Sequence, residues 1–323
     1  MSSRKRFGTL AAVGVLLATV AVAYTVQAAN RAAPADVTAI DLAQPGQILF
    51  RDTASGRAAA VAIGDPGGPR SVSAWACDRV YAAAATAVCL QPTAGLTPAF
   101  AAVVLDRYLA EVSRARHPGI PNRARVGSGG SHVAFTAFVT GHSYAKEGFS
   151  TRTSIVDIAN NRTYGDIETL QIYHEGRKIS TLDVNLWGVT FAADGKRFYA
   201  SMSTGGKTYL VEADIATWEA RTLRENAECP SLSPDGHHIV FKKRVSDDGA
   251  RPWQLYVLDL RSRAEWALPS TLNVDDQAAW LDEKTVMYSL LREDGGTDIW
   301  ASAVTGQSPP KLLIANASSP SVL

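Results

Sequence analysis

Three hundred and twenty-three residues, 46% of them hydrophobic and 20% charged, carry enough apolar material for one large folded domain or two ordinary ones. That composition excludes a largely disordered chain, because burial can offset the entropy of ordering it. The 32 basic and 31 acidic residues nearly cancel, so no strong field is available to grip phosphate backbones, and nucleic acid is excluded as a partner.

The N-terminus departs from these averages. Arg4, Lys5 and Arg6 form a basic cluster, and no further charge follows until Arg31. Between them, residues 7–29 carry no charge and only Gln27 is strongly polar. A basic head, an apolar stretch and small residues around Val26, Gln27 and Ala28 predict an export signal cleaved after Ala28. The stretch is also long enough to stay as a membrane anchor, with the basic cluster on the cytoplasmic side. Both readings place the folded part outside the cytoplasm, secreted or held at the membrane only through residues 1–29. The expected organisation is signal or anchor (1–29), linker (30–36) and one domain (37–323).

Three cysteines follow. Cys77 and Cys89 flank what reads as a hairpin; a turn near Ala83 would set them opposite each other on paired strands, close enough for a disulfide in an oxidising compartment. Cys229 remains as a buried free thiol, with no local base to activate it. No Cys-x-x-Cys knuckle exists to hold a metal.

From about residue 47 the sequence breaks into short apolar runs punctuated by Gly, Asp and Pro, the signal for many short strands. The best-marked run is Cys229-Pro230-x-Leu232-Ser233-Pro234-Asp235-Gly236-x-x-Ile239-x-Phe241, where Pro234-Asp235-Gly236 makes a tight turn. It is followed by Leu255 to Leu260 and then Ala264 to Leu268. Related units carry Asp194-Gly195 before Phe198 and Ala200, Asp282 before Tyr288, and Gly129-Gly130 before Phe135. Leu90 and Phe50 mark two earlier ones. Successive spacings along Phe50, Leu90, Phe135, Ala200, Phe241 and Tyr288 are 40, 45, 65, 41 and 47 residues.

Four-stranded units at that period predict an all-β fold, a six-bladed β-propeller. The 65-residue gap predicts an extra hairpin at about 166–180. The unit of Phe50 lacks a preceding innermost strand, while Ser319-Pro320-Ser321-Val322-Leu323 echoes Cys229-Pro230-Ser231-Leu232. The C-terminal strand is therefore expected to close the first blade.

The Pro-x-Leu-Ser-Pro-Asp-Gly-x-x-Ile-x-Phe string at 230–241 resembles the repeat of TolB-type six-bladed propellers, with degraded copies at 189–200 and 278–288. The resemblance implies a periplasmic or secreted scaffold whose relatives in Tol-Pal systems contact envelope proteins and peptides through a propeller face. It also implies a member without the N-terminal α/β domain of those proteins, since the export segment runs almost directly into blades.

The candidates for chemistry are few. Asp106, Asp157, Asp214 and Asp259 recur after third strands, and Asp194 and Asp235 sit in Asp-Gly turns; recurrence in several blades reads as turn hydrogen bonding rather than catalysis. Of the six histidines, His117, His132, His142 and His174 are scattered, and adjacent His237 and His238 are expected on opposite strand faces, unable to share a metal. No Gly-x-Ser-x-Gly elbow or Walker loop is present. Trp187 is the one aromatic residue singled out as facing the channel mouth.

The sequence thus predicts a non-catalytic envelope-binding scaffold, monomeric, without cofactor or metal, recognising a protein or peptide on one propeller face. The alternatives are a channel-mouth enzyme, a metal-assisted hydrolase or lyase, and a propeller that binds a small molecule or glycan. A broad apolar rim at one channel end would favour a protein partner; converging carboxylates and histidines there would favour an enzyme.

Overall fold

A computed structural model describes residues 38–139, 150–160, 162–249 and 252–323. The signal or anchor, the linker and His142 lie outside the described residues. Thr38–Leu323 forms one compact unit, and among the described residues no helix is long and apolar enough to cross a membrane.

The strands fall into six sheets, one per blade, each antiparallel within its four principal strands. Blade 1 holds β1 (Gln47–Asp52), β2 (Arg57–Ala62) and β3 (Ser71–Ala76). Blade 2 is β4 (Arg79–Ala83), β5 (Thr86–Thr93), β6 (Ala99–Leu105) and β7 (Glu111–Pro118). Blade 3 is β8 (Ile120–Val126), β9 (His132–Val139), β10 (Ser150–Asp157) and β11 (Arg162–Asp166). A 3-10 turn (Ile167–Thr169) and the short strands β12 (Gln171–His174) and β13 (Arg177–Lys178) intervene before blade 4, made of β14 (Asn185–Phe191), β15 (Arg197–Thr204), β16 (Lys207–Asp214) and β17 (Glu219–Glu225). Blade 5 is β18 (Glu228–Leu232), β19 (His238–Arg244), β20 (Trp253–Asp259) and β21 (Glu265–Leu272). Blade 6 is β22 (Ala279–Trp280), β23 (Thr285–Leu291), β24 (Thr297–Ala303) and β25 (Lys311–Ile314), and the chain ends in β26 (Ala317–Val322).

The six residues that set the repeat frame all lie on second strands, and none is more than 4% exposed. They pack across blade boundaries: Leu90, Phe100, Val133 and Phe135 share one cluster between blades 2 and 3, and Phe50 meets Met287 and Ile299 between blades 1 and 6. Each fully buried large side chain stabilises the ring by roughly 1.5–3 kcal/mol. The regular spacing in sequence is the imprint of that shared contact.

Ring closure follows the expectation. β26 pairs antiparallel with β1, Ile48 facing Val322 and Asp52 facing Ala317, so blade 1 takes its innermost strand from the C-terminus. The inserted hairpin also forms, and β12 adds in parallel to the outer edge of β17, widening blade 4 to six strands. This docking covers a sheet edge that would otherwise present unpaired backbone groups.

Cys77 and Cys89 are disulfide-bonded, with Cα atoms 5.4 Å apart. The expected geometry was different. The hairpin turns at Ala84 and Ala85, not near Ala83, and Cys89 faces Val80 in the β4–β5 register. Cys77 lies in the connection between β3 and β4, where its N–H donates to the Gly56 carbonyl. The bond therefore ties a blade-to-blade connection to β5 instead of cross-linking two opposed strand positions. Cys229 is free and buried.

Candidate site at the channel mouth

Innermost strands begin, and second strands end, at one end of the ring: Asn185 of β14 faces Ser203 of β15, and Ile120 of β8 faces Phe138 of β9. This end is the mouth face. The opposite end carries the Asp-containing turns.

The recurrent aspartates belong to that turn face and hold it together. Asp106 accepts the N–H groups of Tyr108 and Ala110, Asp214 those of Ala216 and Thr217, and Asp259 those of Arg261 and Ser262. Asp157 binds the backbone and side chain of Asn160. Asp194 accepts from Lys196 and Arg197, and Asp235 from His237 and the Ser233 hydroxyl. Hydrogen bonds of this kind pull the pKa values of Asp157, Asp194, Asp235 and Asp259 below the ordinary carboxylate range, against the opposing effect of burial. Gly195 and Gly236 take φ of +66° and +73° in two of the turns, a conformation glycine adopts without strain. Pro230 and Phe241 lie in β18 and β19, and Pro234 opens the turn between them.

The described histidines lie away from the mouth cavities. His117 stacks on Phe100 at 5.6 Å and contacts Phe135 at 4.6 Å, and burial pulls its pKa down. His132 bonds the Ser131 hydroxyl, and His174 that of Thr222. His237 and His238 do not take opposite strand faces: His237 belongs to the turn before β19, and both rings come within 4.0 Å of Asp235 Oδ2. Among the described residues no group of three His, Cys, Asp or Glu could hold a metal ion.

Two cavities open on the mouth face. One of about 650 Å³ is lined by Arg51, Asp78, Arg79, Asp275, Asp276 and Leu291, among others. Its neighbour, about 800 Å³, is lined by Asp183, Trp187, Glu225, Glu228, Arg244 and Val245, among others. Trp253 belongs to both walls. The Lys242 ammonium sits 4.0 Å from the Trp253 ring centroid, and Arg244 flanks the same ring at 4.9 Å. Lys242 is buried and pairs with Asp275 at 2.5 Å and Glu228 at 3.6 Å; burial raises the Glu228 pKa despite that ammonium. Trp187 is only 3% exposed and contributes wall rather than rim.

Polar and charged residues dominate both linings, and Leu291 and Val245 are the exposed aliphatic side chains among them. Nine large hydrophobic residues are exposed among those described, and six lie at the mouth end: Leu96, Ile120, Leu182, Val245, Leu272 and Leu291. They come from second-to-third-strand turns and blade-to-blade connections of blades 2 to 6. Leu182, at 81% exposure, is held beside Thr204 by the Thr181–Thr204 and Thr204–Asp183 hydrogen bonds.

Below the 650 Å³ cavity the channel narrows to a throat lined by Arg79, Asn122, Arg123, Arg125, Asp276 and Gln277, among others. Gln277 closes it by donating to the carbonyls of Gly188, Val189 and Pro230, so a residue of blade 6's approach spans to blades 4 and 5. The sequence reading passed over this cluster, although Arg123-x-Arg125 in an innermost strand was a usable signal: residues two apart in a strand share a face, and that face looks onto the axis.

Neither a protein-family model nor a curated protein matches the chain. Solved structures do. TolB from Acinetobacter baumannii superposes with a TM-score of 0.60 at 15% identity, over 85% of this chain and 66% of that one. The fold is a TolB-like six-bladed propeller. A putative TolB from Agrobacterium tumefaciens (TM-score 0.50, 11% identity, 84% of this chain and 90% of the other) shares this TolB-like architecture. So does an oligogalacturonate lyase in complex with manganese (0.52, 12%, 77% and 72%). The chain spans just under two thirds of the Acinetobacter protein's length. At these identities the likeness concerns fold alone, and function must be argued from the site.

Proposed function

We propose that this protein is an exported, non-catalytic binding scaffold of the cell envelope, whose mouth face holds a peptide segment of a protein partner. The observation that carries the reading is that six of the nine exposed large hydrophobic residues among those described lie at the end of the ring where the two cavities open, Leu291 and Val245 in their walls. Apolar groups left in water at one site cost solvation that a partner recovers, whereas singly scattered ones need no explanation. Trp253 between the cavities supplies the kind of rigid aromatic anchor on which binding energy concentrates. The described histidines, placed on the turn face or within blades, add nothing to the mouth that a hydrolase or lyase would use. Export is supported by the Cys77–Cys89 bond, which persists in oxidising compartments, together with the basic and apolar N-terminal pattern.

Affinity capture from envelope extract tests this. The wild-type chain and a turn-face control, Arg261→Glu, should retain the same specific partner, while Leu272→Asp/Leu291→Asp should lose it by about tenfold or more, as two desolvated leucines imply. Equal capture by all three, or none by folded wild type, would overturn the reading.

A further inference from the structure

The throat of the channel holds guanidinium groups that form no direct ion pair among the described residues. Arg79 and Arg123, from the innermost strands of blades 2 and 3, have no carboxylate within 4.0 Å among the described residues, and neither does Arg125. The three differ in how they are satisfied. Arg125 is a strut: it donates to the Ala278 carbonyl and the Ser231 hydroxyl, and its guanidinium lies 4.4 Å from the Tyr81 ring centroid. Arg123 donates to Asn122 and, at 3.5 Å, to the Asp275 carbonyl, and it lies beside Cys229. Its Nε, in a side chain that is nine-tenths buried, has no acceptor, and the same holds for Arg125. The half-buried Arg79 side chain makes no hydrogen bond to any described residue; desolvation, with Arg123 and Arg51 nearby, pulls its pKa below the ordinary arginine range.

Buried guanidinium N–H groups without acceptors are costly, as at the Nε of Arg123 and Arg125, and an acceptor arriving from outside relieves that cost. The local charge indicates which kind. Five cationic side chains (Arg51, Arg79, Arg123, Arg125 and Lys242) meet four carboxylates (Asp78, Asp275, Asp276 and Glu228) there. The formal excess is one positive charge, which suits a monoanion better than a phosphate. A guanidinium fork matches the two oxygens of a carboxylate. Shape narrows the choice further, because the mouth cavity of about 650 Å³ shares Arg79 and Asp276 with a throat of only about 20 Å³, so a bound group is stopped where the two meet. A chain end can enter along the axis, but a mid-chain segment would have to turn and leave through the same opening.

We propose that Arg79 and Arg123 form a carboxylate site at the channel throat that holds the C-terminal carboxylate of the peptide seated on the mouth face. Arg125 supports the site from behind with its charge. The proposal rests on the mouth face being a peptide-binding surface, yet the site can be probed without any peptide.

The test uses the purified full chain. Acetate and its neutral isostere acetamide are titrated at constant ionic strength, read by tryptophan fluorescence and melting temperature, against wild type, Arg79→Gln, Arg79→Lys and Arg123→Gln. A mixed-sequence pentapeptide library as free acids is then compared with the same library as C-terminal amides. Acetate but not acetamide should perturb wild type, and Arg79→Gln should abolish the response without changing the circular dichroism spectrum. Arg79→Lys should restore part of it. Free acids should bind wild type at least about tenfold tighter than amides, the worth of a charged hydrogen bond, and this preference should vanish in Arg79→Gln. Identical responses to acetate and acetamide, an unaltered acetate response in both glutamine variants, or equal affinity for acids and amides would overturn the proposal. Capture through the rim leucines with no acetate response would remove the carboxylate site and leave the face; an Arg79-dependent acetate response with no partner captured would do the reverse.

Discussion

Glu168 shows how a single residue can register the packing around it. It lies in the 3-10 turn leading into the inserted hairpin, its Oε1 is buried without a partner, and burial followed by the nearby Asp166 carboxylate raises its pKa from 4.5 to about 7. The folded state thus prefers the protonated acid. That preference is fully present below about pH 4.5 and is lost as pH rises through about 7. Glu168→Gln should flatten the fall in melting temperature between pH 5 and 8, and should stabilise the protein above pH 7 by up to about 2 kcal/mol, a figure reduced for partial solvent access. Equal pH profiles for the two proteins would show that Glu168 is solvated. At this scale the sequence was legible where a residue recurs. The turn aspartates were readable because several blades use them alike; Glu168, Arg79 and Trp253 occur once, and only the ring brings their neighbours together. Cys77 and Cys89 fall between these cases, since spacing indicated the bond while the actual turn at Ala84 and Ala85 depends on where blade 1 hands over to blade 2.

Among the elements, β26 has the largest consequence. It supplies blade 1 with its inner strand, and the Ser321 hydroxyl accepts the N–H of Ala82 from blade 2, so one C-terminal strand ties two blades. Deleting residues 317–323 exposes the inner edge of β1 and should lower the melting temperature by at least about 10 °C, several kcal/mol at roughly 2–4 °C each. An unchanged transition in calorimetry would show that closure contributes nothing. This strand was readable from the echo of Ser319-Pro320-Ser321 with blade 5. The hairpin of β12 and β13 was readable as excess length, but not its parallel docking on β17, because an edge-to-edge addition leaves no periodic trace. The approach of His237 and His238 to Asp235 is illegible in the sequence for a related reason: β19 starts at His238, and period-two alternation does not extend into the turn that holds His237.

For the whole molecule, the ring sorts its surface by end. The turn face is a series of hydrogen-bonded aspartates; the mouth face gathers six exposed aliphatic side chains, two cavities and a throat whose arginines form no direct ion pair among the described residues. Fold and blade count were carried by spacing, since each blade must bury the same frame residues against its neighbour. The mouth was not, because its residues come from connections of differing length in different blades. The account stands on the claim that the mouth face, and not the turn face, is where the partner binds. Hydrogen exchange of the complex with the captured partner tests it most directly. The account predicts slowed exchange in the mouth-end loops at 245–249, 273–278 and 292–296, with the Asp194, Asp235 and Asp259 turns unchanged. Protection confined to those aspartate turns would contradict it.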